Sequence, residues 1–400
     1  MNTAARPVLA IYKDFLTSGR GADRATAAFA NAMAQRGYTV HVITQQRPSQ
    51  PLSVTFDAAV TCHHVPMSRI HSLAGSFNKL LLRTTFGARL LRGAFAKVDL
   101  MLETSRRLQA CLQRIQPDLV ISAGSNECVE LTYAGPLTVP MVQMFHVYPP
   151  VCFAKNKYQR VTRLKAALPQ AAACQVLLPS HRDTLKPYTE APVSVIGNAI
   201  AWPEDEPLPD PAARAKTLVY VAYFTKDKNQ LMLLDAFAQL HNADDWQLHL
   251  YGTGTPAWTR RLEERVAELG IGDRVKFFGV TLTPREVLRQ ASICAYPSLT
   301  EGFGLALAEA MWSGLPCVGF KSAAGVNELI SHEANGLLAP ETTPASFAAQ
   351  LQRLIDAPDL RAHLGTTAAT SIRATYAASR VWQQWEDLLE RVMHAPQQRA

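Results

Sequence analysis

The residues that could do chemistry crowd into one stretch, SLTEGFGLALAEAMWSGLP, Ser298 to Pro316. Glu301 and Glu309 stand there with seven residues between them, around a Gly302-Phe303-Gly304 turn. Every residue from Leu305 to Trp312 is apolar except Glu309. A helix apolar all round is normally buried, so it would carry Glu309 inside. A lone buried carboxylate is costly and must be paired, protonated or bonded to something else. The turn presents backbone N–H groups at the start of the same helix, where the dipole favours an anion. Read alone, Glu301 is equally a helix N-terminal acid worth about 0.5 kcal/mol, and Glu309 a partly exposed acid on a helix face.

The chain of 400 residues is long enough for two or three domains. Apolar residues make up 48% and charged ones 18%, an ordinary globular composition with ample core. Its seven cysteines are scattered without a C-x-x-C, which argues against a disulfide framework and a zinc site and for a reducing compartment. The apolar run near the N-terminus is too short for a signal peptide, and no window suits a bilayer span. The expectation is a cytoplasmic protein. The net charge of +7 is uneven: residues 1–200 hold 22 Lys+Arg against 10 Asp+Glu, while residues 201–400 hold 18 against 23.

Elements must bring the chemical groups together, and the pattern supplies them. PVLAIYK, YTVHVIT, PDLVISAG, VPMVQMFHV and QVLLPS read as buried strands separated by helical stretches. After the proline-rich, acidic segment NAIAWPEDEPLPDPAARA the alternation restarts with TLVYVAYF, WQLHLYGTG, VKFFGV and ICAYPS. Strands alternating with helices predict an α/β protein with parallel sheets. The expected organisation is two Rossmann-like, doubly wound domains facing each other across a cleft. Residues 1–197 form the first, 198–216 a linker and 217–377 the second, with a last helix over about 378–400 packing back on the first. Ligands of such sheets bind at the carboxyl ends of the strands, and Glu301 and Glu309 follow one such end.

YPSLTEGFGLALAEAMWSGLPCVGF, AAGVNELI and NGLL together resemble the signature of the retaining family 4 glycosyltransferases of the GT-B fold. That signature reads P-S-x-x-E-G-F-G-x-x-x-x-E-A-M-x-x-G-x-P-V-V, then glycine, glutamate and Asn-Gly. Gly314, Pro316, Gly325, Glu328, Asn335 and Gly336 match along with the residues already named. The likeness is dense over 217–340 and thin over 1–200. It implies transfer of a hexose or N-acetylhexosamine from a nucleotide diphosphate sugar, with UDP favoured over GDP and no further cofactor. It implies that Glu309 binds ribose hydroxyls, that Glu301 binds donor-sugar hydroxyls, and that the Gly302, Phe303 and Gly304 backbone faces the diphosphate. The base is expected near Phe278 and Val280. A carboxylate accepts from paired hydroxyls in bidentate fashion, which agrees with these roles.

YVAYFTKDKNQ is similar to the family's G-R-L-x-x-x-K-G/N loop, and Lys228 falls on the lysine that grips the diphosphate. Tyr223 falls on the arginine and Ala222 on the glycine. A tyrosine supplies no fixed positive fork, so Lys226, another basic group or the backbone is left to compensate. By itself Lys228 reads as a solvated loop lysine. SGRGADRA resembles G-G-A-E-R-V, with Arg20 at the first glycine; Gly21 opens a helix where a phosphate or acceptor oxygen could approach, a bare turn being the alternative. PMVQMFHV resembles P-x-V-x-T-x-H, which implies that His146 lies near the reacting centre, a structural histidine being the alternative. Ser180 and Asn198 are weaker matches. Catalysis is thus assigned to Glu301, Lys228 and His146. No D-x-D occurs, so no metal site is expected.

Ser76 to Val98 carries Lys79, Arg83, Arg89, Arg92 and Lys97 with no acid, and Lys155, Lys157, Arg160, Arg163 and Lys165 follow. Basic amphipathic helices of this kind lie on anionic membranes, unless they are solvated faces over core leucines. The expected partners are a nucleotide-sugar donor, a saccharide or lipid-linked saccharide acceptor and an anionic surface at the inner face of the cytoplasmic membrane. No nucleic-acid module is recognisable. The alternatives are a GT-B sugar-nucleotide epimerase or phosphorylase, or a non-catalytic scaffold on the membrane, which the tyrosine at position 223 would permit.

Overall fold

Strands buried on both faces need apolar side chains at nearly every position, and the short apolar runs of this chain become such strands. The computed structural model describes residues 7–395 apart from 18, 20, 47–51, 67–99 and 155–157. The first unit holds β1 (Val8–Tyr12), β2 (Thr39–Thr44), β3 (Val60–His64), β4 (Leu119–Ser122), β5 (Met141–Met144), β6 (Ala173–Val176) and β7 (Val193–Val195). They pair in parallel in the order β3-β2-β1-β4-β5-β6-β7. Residues of β4, β5 and β6 are buried throughout, whereas the edge strand β3 exposes Thr61 and Cys62. α1 (Gly21–Gln35) crosses from β1 to β2 and buries Phe29, Ala30 and Met33; α2 (Ser125–Thr132) crosses from β4 to β5.

The second unit holds β8 (Thr217–Val221), β9 (Gln247–Tyr251), β10 (Val275–Gly279), β11 (Ile293–Ala295), β12 (Cys317–Phe320) and β13 (Gly336–Ala339). They too pair in parallel, in the order β10-β9-β8-β11-β12-β13. α3 (Leu305–Trp312) joins β11 to β12 and buries its residues from Leu307 onward. α4 (Ala378–His394) is the last helix. Contacts divide the chain into a unit of Met1–Ile196 with Trp382–Ala400 and a unit of Gly197–Val381. α4 therefore starts in the second unit and contributes to the first, where the Trp385 ring meets Phe29 at 4.6 Å and Arg36 pairs with Glu386 at 3.4 Å.

Two expectations need correction. The segment read as a linker belongs to the second unit: Arg285 Nε donates to the Glu206 carboxylate at 3.0 Å, and Arg373 donates to the Glu206 carbonyl at 2.8 Å. Its prolines deny it a place in a sheet, but its acids anchor it to helices. The strand expected over QVLLPS runs instead over Ala173–Val176, because Pro179 opens a helix and the chain has left the sheet by then.

Strand order reverses between β1 and β4 in the first sheet and between β8 and β11 in the second. The carboxyl ends of strands at such switch points form the crevices where α/β sheets take ligands.

Candidate active site

β8 and β11 are hydrogen-bonded neighbours at the second switch point, so the loops leaving them run side by side. Lys228 ends a single helical turn, Lys226–Lys228, after β8. Leu299 N donates to the Asp227 carbonyl at 3.0 Å, and Glu301 N donates to the Ala324 carbonyl at 2.9 Å. These bonds pin the β11 loop to both the β8 loop and the segment after β12. Lys228 Nζ consequently lies 2.5 Å from Glu301 Oε1, with the two side chains 25% and 10% exposed. Gly325 completes the fit. Its φ is +83°, and a Cβ there would stand 2.6 Å from the Glu301 carbonyl oxygen, so only glycine passes.

Beneath the pair lies a buried phenol layer. Tyr296 OH donates to Glu301 Oε1 at 2.8 Å. Tyr220 OH donates to the Lys228 carbonyl at 3.0 Å and, its one proton so spent, accepts from Ser298 Oγ at 2.8 Å. The two rings meet edge to face, 5.3 Å apart. Burial first, and the Glu301 charge second, hold both phenols well above the usual tyrosine range, so both stay protonated.

α3 starts at Gly304, which has φ +83° and no side chain to cap the first turn. No acid occupies that turn either, so its free N–H groups keep their attraction for an anion. Glu309 sits one turn in and is 3% exposed. The Phe303 ring is buried edge to face on Tyr376, which leaves its backbone as the part of the residue that can meet a ligand. Lys226 is exposed and Tyr223 half-buried. Phe278 and Val280 are 46% and 66% exposed at the edge strand β10, where Phe278 stacks on Tyr251 at 4.7 Å. The structure does not bring these two residues to Lys228 and Glu301. Asn335 and Gly336 hold backbone: Asn335 Oδ1 accepts from Ser331 N at 2.7 Å, and a Cβ on Gly336 would press on the Cys317 carbonyl.

In the first unit His146 follows β5, and its Nε2 lies 3.4 Å from Thr26 Oγ1 of α1, the helix that Gly21 opens. Burial, then Lys13, pushes its imidazole down to about 4. Ser180 is the second residue of the helix after β6, Asn198 lies past the boundary in the second unit, and Arg20 lies outside the described residues. At the switch point the structure adds a cluster that sequence reasoning missed. Lys13 and Asp14 leave β1, and Lys13 bonds both Asp14 and Glu127 of α2. Glu130 of α2 takes Tyr12 OH and the Gln45 amide. Burial raises Glu127 and Lys13 lowers it, but Asp14 pushes it up again, to about 8; burial raises Glu130 to about 7. The signal was available: two acids in the short run ECVEL, Glu127 and Glu130 among otherwise apolar residues, pose the same question as Glu309. Among the described residues no three His, Cys, Asp or Glu side chains converge as a metal-ligand set.

Known proteins give this geometry a frame. The family model of glycosyl transferases group 1 matches residues 215–357, and that of Glycosyltransferase Family 4 matches residues 19–201. The solved structure of Anabaena HepE in complex with UDP and glucose superposes with a TM-score of 0.72 at 16% identity, covering 96% of this chain and all of that one. The chain adopts the GT-B fold. Curated relatives match over part of it. The N-acetyl-alpha-D-glucosaminyl L-malate synthase of Bacillus anthracis is 30% identical over 173 residues, 43% of this chain and 45% of that protein. The lipopolysaccharide 1,6-galactosyltransferase of Escherichia coli K12 is 29% identical over 173 residues, 42% and 47% respectively. The chain thus spans about half the length of these relatives.

Proposed function

We propose that the protein is a retaining glycosyltransferase that moves a hexose or N-acetylhexosamine from a UDP-sugar to a cell-envelope or lipid-linked saccharide. The observation that carries this reading is the meeting of Lys228 and Glu301 beside the uncapped start of α3. A diphosphate needs a cation and amide donors; a sugar needs a carboxylate for its hydroxyls. Here both stand within one side chain of each other. The two family models, the UDP and glucose of the HepE complex and the names of the curated relatives support the same chemistry.

In this mechanism Lys228 and the first-turn amides of α3 hold the diphosphate, Glu301 orients the sugar and Glu309 takes the ribose hydroxyls. The bond from the anomeric carbon to the phosphate oxygen breaks as the acceptor oxygen bonds the same carbon from the same face. The acceptor proton passes to the departing phosphate oxygen, leaving a nucleoside diphosphate and a glycoside of unchanged anomeric configuration. Charge that grows on the phosphate is met by groups already in place. No separate general base and no divalent metal take part. The N-terminal half receives the acceptor, and His146 is the residue of that half assigned to the reaction. The basic stretch from Ser76 to Val98, which lies outside the described residues, docks on anionic lipid. Among the described residues no helix is long and apolar enough to cross a membrane.

A thermal-shift screen of UDP- and GDP-sugars tests the donor, since ligand at 100 times Kd stabilises by about 2.7 kcal/mol. Release of free sugar from the best ligand then separates an enzyme from the scaffold that Tyr223 would permit. Absence of both stabilisation and hydrolysis would refute the reading.

A further inference from the structure

We infer that Tyr296 is a positioning residue: its hydroxyl keeps Glu301 aimed at the donor sugar once Lys228 has turned to the diphosphate. The inference rests on the proposed donor site and adds a residue to it. Both hydrogen bonds that fix the Glu301 carboxylate fall on one oxygen, Oε1, one from Lys228 Nζ and one from Tyr296 OH. Oε2 is left as the oxygen to face a sugar hydroxyl. The two holders differ in kind. Lys228 carries a point charge on a flexible four-carbon stem, and a diphosphate competes directly for it. Tyr296 has nowhere to go.

The rigidity of Tyr296 is built in three ways. Its backbone N–H donates to Val318 of β12 at 2.8 Å. Its ring is buried edge to face on Tyr220. Tyr220 is in turn tied to Ser298 and to the Lys228 carbonyl, so the same layer holds the loops that carry both charged partners. A protonated phenol in this position donates and cannot turn away. When the ammonium leaves Oε1, a carboxylate that is largely shielded from water keeps one charge-assisted hydrogen bond, and its direction fixes where Oε2 points. An unanchored carboxylate would have to be oriented by the sugar itself.

The test compares wild type, Tyr296→Phe, Glu301→Gln and the double variant, by calorimetry with UDP and with UDP-glucose, UDP-galactose and UDP-N-acetylglucosamine. Tyr296→Phe should leave UDP affinity unchanged and weaken the preferred UDP-sugar about 10-fold, the loss of one hydrogen bond to a charged group. In the Glu301→Gln background the same change should add little, because the phenol acts through the carboxylate. A structural phenol behaves otherwise: it would lower UDP and UDP-sugar affinity alike, and its effect would add to that of Glu301→Gln. Either of those results, or undiminished UDP-sugar binding by Tyr296→Phe, overturns the inference. If Tyr296→Phe does not fold, 3-fluorotyrosine at position 296 keeps the shape, and its fluorine resonance should move when the UDP-sugar binds; an unmoved resonance overturns it as well. Wild type that binds no sugar nucleotide ends both this inference and the reading beneath it, whereas binding sensitive to Glu301 but not to Tyr296 ends only this one.

Discussion

Lys228 and Glu301 are 73 positions apart in the chain and 2.5 Å apart at their charged atoms. One β-strand pairing makes that distance possible, because β8 and β11 lie side by side at the reversal of strand order. Without ligand each charge neutralises the other. A sugar nucleotide offers each a new partner, an anion for the ammonium and hydroxyls for the carboxylate.

Removing the ammonium should therefore slow turnover more than it weakens donor binding, because charge on the diphosphate grows as the sugar departs. Lys228→Ala is expected to lower kcat by about 100-fold, by analogy with the loss of one transition-state donor. Lys226, exposed on the same turn, is the comparison. If Lys226→Ala is the more damaging variant, the roles of the two lysines are reversed.

Glu309→Gln keeps the shape of a buried side chain and removes its charge. Donor affinity should fall by about 1.5–3 kcal/mol, the worth of a hydrogen bond to a charged group. Calorimetry with the intact donor measures it, and an unchanged Kd would place Glu309 outside the nucleotide site.

Activity should survive exhaustive chelation. The motivation is positive: Lys228 and the first-turn amides of α3 already provide for the leaving group. Loss of turnover on chelation, restored by added Mg²⁺ or Mn²⁺, would contradict the mechanism.

Stability should depend on pH through the first-unit cluster. Glu127 at about 8 and Glu130 at about 7 are raised above the ordinary carboxyl value of roughly 4.3. Their protonated forms favour the folded state, so this contribution is complete below about pH 4.3 and is lost as pH climbs toward 8. His146 has the opposite sign: held at about 4, its contribution is present above roughly pH 6.5 and lost as pH falls through 4. Urea midpoints measured from pH 5 to pH 8 should decline through the carboxyls, and Glu127→Gln should flatten the decline. A wild-type profile that rises over this range would show the cluster to be ionised in the fold.

Vesicles containing anionic lipid should sediment the protein at low salt and release it at high salt. Each Lys or Arg near such a surface is worth about 1 kcal/mol, and the segment from Ser76 to Val98 carries five. Charge reversal at Arg83, Arg89 and Arg92 should abolish sedimentation while donor affinity holds. Wild type indifferent to vesicles at low salt would point to a soluble acceptor.

The interior strands were legible because burial on both faces leaves an apolar run that nothing else in the chain imitates. The edges were not. VTCHH of β3 exposes the consecutive Thr61 and Cys62 and carries no alternation that sets it apart from a loop, and β7 is only three residues long. At the site, Glu301, Lys228 and Glu309 could be found because unusual residue types stood in a short, dense stretch. Tyr220 and Tyr296 could not, since a tyrosine in an apolar strand looks like any core aromatic until its hydroxyl has a partner. The acids of the cluster around Glu127 stand out in the sequence but their partner does not: Lys13 and Glu127 are 114 positions apart, and the reversal of strand order joins them.

The double passage of the chain between the units bears on how the protein is made. The second unit is one continuous stretch, Gly197–Val381, and all of it leaves the ribosome before Trp382 does. The first unit begins earlier and is finished later, for its core includes Trp382, Trp385 and Leu389 of α4. Until those residues are synthesised, Phe29 of α1 lacks the ring that covers it. Domains are usually completed in the order of translation; here the half that starts first must wait for α4, the last helix to be made, and is completed after the whole of the second unit has been synthesised.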